Sequence, residues 1–208
     1  MTGTVALESR DLECIRDDRV LFSELNFTVE SSQALILEGD NGCGKTSLLR
    51  ILCGIRLPDQ GQVIWSGQPI QGSYTDYYQE MVYVGHLDGV KRDLSVKENL
   101  RMSIALGRHT GITIEQALQQ VDLSGYQEVQ AQVLSAGQRR RVALASLLLR
   151  RSKLWLLDEP FTALDRISRA VFETIMSRHL SHGGMIVLTS HHPVNLAESS
   201  VFTINLSA

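Results

Sequence analysis

Gly39-Asp40-Asn41-Gly42-Cys43-Gly44-Lys45-Thr46 decides the fold of this 208-residue chain. The apolar run Ala34-Leu35-Ile36-Leu37-Glu38 precedes it and reads as a buried strand. Ser47-Leu48-Leu49-Arg50-Ile51-Leu52 follows and reads as the opening of a helix. Strand, glycine-rich turn and helix, with G-x-x-x-x-G-K-[ST] in the turn, make the pattern of a phosphate-binding loop. Gly39, Gly42 and Gly44 let the backbone curl until successive N–H groups point at one phosphate. The helix N-terminus adds its partial positive charge. Lys45 is expected to reach the β- and γ-phosphates, and the Thr46 hydroxyl to ligate Mg²⁺. Asn41, Cys43 and Ser47 complete the expected nucleotide-binding set. A bare glycine turn could match the pattern by chance; the flanking strand and helix argue against that.

Working outward, residues 5–12 and 25–29 read as strands, with Ser31-Ser32 as a turn before the central strand. Residues 63–65 form a short strand before the tight turn at Ser66-Gly67. Tyr74, Tyr77 and Tyr78 cluster and read as a half-buried surface patch rather than a stacking site. Residues 81–84 are another strand. Ser95-Val96-Lys97-Glu98 has capping-box form and predicts a helix to about residue 106. Helices are expected over 114–121, 137–149 and 166–180, and strands over 154–157, 185–188 and 201–206. Strands alternating with helices imply an α/β fold with a mostly parallel sheet. The expected division is a single domain, 1–208. Its core is 1–86 and 151–208, with an antiparallel β part at the N-terminal side and a helical insertion over about 87–150.

Two further stretches carry chemistry. Leu154-Trp155-Leu156-Leu157-Asp158-Glu159 is an apolar strand ending in two carboxylates, at the edge where α/β sheets bind ligands. Asp158 fits an acid that holds Mg²⁺, and Glu159 a group that polarises an attacking water. A solvated acidic pair at a strand exit is the plainer alternative. Leu134-Ser135-Ala136-Gly137-Gln138 opens a helix with Ser135 as N-cap, and its free N–H groups make a second anion site. Arg139-Arg140-Arg141 reads as a solvated helix face rather than a nucleic-acid contact.

Together these stretches resemble the ABC-type ATPases. Leu134 to Gln138 is similar to their signature motif, with Ala136 where glycine is usual. Asp158-Glu159-Pro160-Phe161-Thr162-Ala163-Leu164-Asp165 resembles their Walker B and D-loop, and His191 falls at their switch histidine. The resemblance covers essentially the whole chain. It implies a head-to-tail pair of ATP-binding protomers, with ATP between the phosphate loop of one and Ser135, Gly137 and Gln138 of the other. It implies Glu159 as general base, His191 at the γ-phosphate and attacking water, and Asp165 in communication across the pair. His192 is read as incidental.

Three positions depart from the family pattern. His86 stands where a glutamine usually links Mg²⁺ and water to a membrane partner. Imidazole is a poor Mg²⁺ ligand, so His86 is expected to act through water and to make coupling pH-sensitive. Arg16 stands where an aromatic usually stacks on adenine; a guanidinium plane stacks too, so base selectivity is expected to be loose. Cys43 is expected to be an alkylation target that ATP protects.

The segment Val84-Gly85-His86-Leu87-Asp88-Gly89-Val90-Lys91, with Ala136 and Thr189-Ser190-His191-His192-Pro193, resembles the ATP-binding subunits of bacterial cytochrome c maturation, or haem exporter ATPases. That resemblance implies ATP hydrolysis driving haem export, or release of a haem-loaded chaperone. It implies integral membrane permease subunits as partners and a peripheral place on the cytoplasmic side of the inner membrane. No haem-attachment spacing is present, so no direct haem binding is expected. A formal charge of -3 gives no basic footprint for nucleic acid. Three cysteines, Cys14, Cys43 and Cys53, without metal spacing suggest free thiols in a reducing compartment. No signal peptide, membrane span or appended regulatory domain is expected. The ATPase of another small ABC exporter or importer, a soluble P-loop phosphotransferase, and an ABC-type ATPase acting on DNA or ribosomes stand as competing readings. The signature disfavours the phosphotransferase; the acidic charge and lack of a coiled-coil insert disfavour the last.

Overall fold

Short apolar runs buried on both faces become the strands of a five-stranded parallel sheet. In the computed structural model, which describes residues 5–72, 74–191, 193–197 and 200–207, its strands are β3 (Ala34–Glu38), β6 (Met81–Val84), β7 (Leu154–Leu157), β8 (Met185–Thr189) and β9 (Val201–Asn205). Their spatial order is β6-β7-β8-β3-β9. Every neighbouring pair is parallel. Alternation along β3 sends Ala34 and Ile36 to one core cluster and Leu35 and Leu37 to the other. The mostly parallel α/β sheet expected from the sequence is present, with the antiparallel part beside it. His192 lies outside the described residues.

That second sheet is β2-β1-β4-β5, made of β1 (Ala6–Arg16), β2 (Arg19–Glu30), β4 (Gln60–Trp65) and β5 (Gln68–Pro69). β1 runs past residue 12 because its pairing with β2 shifts register between Ser9 and Leu12 and again near Cys14. The irregularity leaves Asp11 at φ 49°, a left-handed conformation that aspartate tolerates. Gly61 fits against it: a Cβ there would stand 2.3 Å from the Asp11 carbonyl oxygen. With α1 (Lys45–Leu52), this sheet covers one face of the parallel sheet through Leu7, Val29, Leu48 and Leu52.

The opposite face carries α3 (Val96–Ala105), α4 (Ile114–Gln120), α5 (Ala136–Leu149) and α6 (Arg166–Ser181). Leu100, Leu118, Leu144, Leu147, Phe172 and Met176 form a continuous core with Trp155 and Leu188. Ser95 and Glu98 close the capping box that the sequence predicts, and Thr113 with Gln116 forms a second. The tyrosine cluster differs from its expectation. Residues 74–80 form a further helix, α2 (Tyr74–Glu80). Tyr77 is a core residue, 1% exposed, edge-on to Trp65, with its hydroxyl donating to the Leu52 carbonyl at 2.7 Å. Only Tyr74 and Tyr78, stacked on each other, remain toward the surface. A buried tyrosine is stable where its hydroxyl finds an acceptor.

Candidate functional site

The phosphate loop leaves β3 through Gly39 at φ 131° and Gly42 at φ 85°, and enters α1 through Gly44 at φ 113°. Gly44 is the helix N-cap, and a Cβ there would press within 3.2 Å of Leu21 and Phe22 on β2. The conformation therefore calls for glycine, and the space leaves a Cβ tight against those side chains. Lys45 is buried, and its ammonium donates to the carbonyls of Gly39 at 2.5 Å and Asp40 at 2.9 Å. Those bonds hold a cation across the mouth of the loop, where a phosphate would replace the carbonyls as partner. Asn41 and Gly42 are exposed at the tip; Thr46 and Ser47 sit half-buried in the first turn.

Asp158 is the hub. It leaves β7 with 2% exposure. Oδ2 accepts from the Thr46 hydroxyl at 2.9 Å, and Oδ1 accepts from the Thr189 hydroxyl at 2.9 Å. Thr189 Oγ in turn accepts from the Glu159 N–H at 2.8 Å. A buried carboxylate with two hydroxyl donors is a satisfied one. Thr189 is a contact of this cluster that the sequence reading passed over. Its signal was a hydroxyl closing the apolar run of β8, level with the acids that close β7.

Glu159 turns away from Asp158 through a left-handed backbone, φ 48°. Its Oε1 lies 3.2 Å from His191 Nε2, and its Oε2 lies 3.7 Å from His86 Nδ1. The Thr162 hydroxyl donates to Oε2 at 3.2 Å. A cleft of about 320 Å³ opens beside it, lined by Phe161, Ala163, Leu164 and His191. The carboxylate thus faces open space between two imidazoles, which is the placement a proton acceptor needs.

α5 begins with the capping box of Ser135 and Gln138: the Ser135 hydroxyl accepts from the Gln138 N–H at 3.1 Å, and Gln138 Oε1 accepts from the Ser135 N–H at 2.8 Å. Gly137 is required by space, since a Cβ there would lie 2.6 Å from the Ala163 carbonyl oxygen. Among the described residues no hydrogen bond or ion pair joins Ser135, Gly137 or Gln138 to the phosphate loop. The arginine run corrects its expectation, for it is no solvated face. Arg139 pairs with Asp88 at 3.3 Å, Arg141 with Asp122 at 3.1 Å, and Arg140 is 3% exposed. Burial pushes the Arg140 guanidinium below its usual range, against the pull of the Asp158 and Asp88 charges. Its position was readable from period: 140, 144 and 147 lie on one helix face with buried Leu144 and Leu147.

A phosphate loop joined by a threonine–aspartate bond to a second strand end, beside a capped glycine-bearing helix, agrees with what comparison with known proteins finds. The ABC transporter family model matches residues 22–162. This chain belongs to the ABC transporter family. Among curated members it is 50% identical over 198 residues to the cytochrome c biogenesis ATP-binding export protein CcmA of Methylococcus capsulatus, covering 94% of this chain and 95% of that one. The CcmA of Nitrosospira multiformis is 47% identical, covering 97% and 98%, and that of Escherichia coli K12 is 44% identical, covering 97% and 96%. A solved structure, a putative ABC transporter ATP-binding protein of Pyrococcus furiosus, superimposes with TM-score 0.81 at 28% identity, covering 97% of both chains.

The remaining positions of this ABC domain fall around that centre. Asp165 is the N-cap of α6; its carboxylate accepts from the Ser168 N–H at 2.7 Å, which holds its carboxyl below the usual range. Arg16 ends β1 with its side chain 63% exposed, beside Asp17. Cys43 differs from its expectation as an accessible thiol: it is 8% exposed and packs in the core behind the loop, and Cys14 and Cys53 are likewise unpaired and buried. Among the described residues no helix is long and apolar enough to cross a membrane.

Proposed function

We propose that this chain is the ATP-hydrolysing subunit of an export complex in cytochrome c maturation, energising haem export or release of a haem-loaded chaperone. The observation that carries the reading is Glu159, set one residue beyond the buried Asp158 and open to a cleft between His191 and His86. Lys45, Gly42, Gly44 and the first N–H groups of α1 bind the β- and γ-phosphates; Arg16 lies against the base. Thr46 and Asp158 are the residues that would hold Mg²⁺, both offering the hard oxygen donors that this ion prefers. When bound, the ion would offset phosphate charge. Glu159 accepts the proton of the attacking water, and His191 orients that water against the γ-phosphate.

In this reading two protomers pair head to tail, so that the α5 N-terminus of one closes the nucleotide on the phosphate loop of the other. Asp165 lies at that junction. Residues 87–150 act as the helical arm. A groove of about 720 Å³ between β6, α3 and α5 supports docking of a permease segment on the inner face of the membrane. Leu87, Met102 and Leu106 stand exposed around it, next to His86.

The test is to trap the assembly with Glu159→Gln and ATP, extract it in detergent and identify what copurifies. Membrane subunits of cytochrome c maturation are the expected result. Recovery of a different permease would overturn the proposed substrate, and a soluble acceptor consumed with ATP would overturn transport itself.

A further inference from the structure

Arg140 is a buried side chain beside the site that the mechanism above leaves unused. Its guanidinium donates only to backbone: to the Gly85 carbonyl at 2.7 Å, to Asp158 at 2.8 Å, to Glu159 at 2.7 Å and to Pro160 at 3.1 Å. Among the described residues it forms no ion pair with a carboxylate. A buried cation held by carbonyls alone is costly to keep, and an apolar side chain would fill the same space with less penalty. A purely structural role therefore gives a poor account of it.

The four carbonyls say what it does. Three of them are consecutive and belong to the irregular segment that leaves β7, where Glu159 holds a left-handed φ of 48° and Ala163 one of 63°. Such a segment keeps its shape only when its surroundings over-determine it. The fourth, Gly85, precedes His86, whose imidazole flanks the Glu159 carboxylate. One guanidinium thus fixes the backbone beside both groups. It is rooted in α5, one helical turn after Gly137, which itself touches the Ala163 carbonyl with no room for a Cβ.

We propose that Arg140 is a positioning residue through which the N-terminus of α5 sets where Glu159 and His86 stand. A displacement of Ser135 and Gly137 toward a nucleotide carries the guanidinium with it, and the guanidinium carries the base. The inference rests on the proposed function, in that it takes Glu159 as the proton acceptor.

Arg140→Lys tests it, because an ammonium keeps the charge but, with three donors on one nitrogen, cannot span the four carbonyls that the planar fork reaches from Nε, Nη1 and Nη2. The expected result is an ATP-analogue Kd within about twofold of wild type and a kcat lower by about 100-fold, the effect of a misplaced catalytic group. In a Glu159→Gln background, adding Arg140→Lys should change the single-turnover rate by less than about twofold, because the carboxylate through which both positioned groups act is already gone. Unchanged kcat, equal losses in Kd and kcat, or losses that multiply in the double variant would each overturn the proposal. Where Arg140→Lys does not fold, Arg140→Gln is measured in the same way and judged by the same outcomes. A wild type that binds but does not hydrolyse ATP overturns the functional reading first and this one with it.

Discussion

The two ends of the parallel sheet bury polar groups in opposite ways. At the carboxyl end, Asp158 has the hydroxyls of Thr46 and Thr189 on its two oxygens, and Arg140 satisfies the carbonyls around it. At the amino end, His179 of α6 lies flat on Trp155 with ring centroids 3.8 Å apart, and its Nε2 has no partner among the described residues. Burial pushes this imidazole down to about 4. The first end keeps charges and supplies their partners; the second keeps a titratable ring by holding it neutral. Polar groups retained for chemistry are networked, whereas a polar group retained for packing is a point of acid weakness.

That contrast can be broken at either end. The largest effect belongs to Glu159→Gln, which should lower kcat by about 10² to 10⁴ while nucleotide affinity and thermal stability stay close to wild type; phosphate release and thermal melts check both. Acid comes next. The folded state favours neutral His179, so its contribution is full above the unfolded value of 6.5 and is lost as pH falls toward 4. Between pH 7 and 5 that loss is about 2 kcal/mol, and urea unfolding of His179→Phe should show a drop smaller by that amount. At the same end, Gly184→Ala would place a Cβ 2.2 Å from His179 Nε2. It should destabilise by roughly 1–3 kcal/mol without changing kcat. The smallest effect is Thr189→Val, which strips one donor from Asp158 and one acceptor from Glu159. It should remove about 1 kcal/mol of stability and lower kcat with it, whereas Gly184→Ala at the amino end changes stability alone.

What could be read in advance was what local chemistry determines. The phosphate loop, the capping residues Ser95 and Ser135, the strand exits at Asp158 and His191 and the helices behind them all follow from short-range pattern and turn chemistry. Features set by distant partners were not legible in that way. Tyr77 reads as surface until Trp65 and the Leu52 carbonyl are brought to it. Arg140 reads as a solvated charge until four carbonyls from two other segments converge on it. Cys43 reads as a reactive thiol because it precedes a helix N-terminus and Lys45, yet its side chain points into the core. β1 outruns its expected length because a bulge, invisible to alternation, lets pairing resume beyond Asp11.

The phosphate loop also depends on residues far ahead of it in sequence. β9 pairs with β3 along its length, the Leu206 N–H donates to the Glu38 carbonyl at 3.0 Å, and the Ser207 hydroxyl accepts from the Asp40 N–H at 2.7 Å. A ribosome makes Asp40 long before Ser207, 167 positions later. A nascent chain therefore carries the glycine turn for most of its synthesis without the strand and hydroxyl that brace it. The loop gains that brace only once β9 has been made and paired with β3.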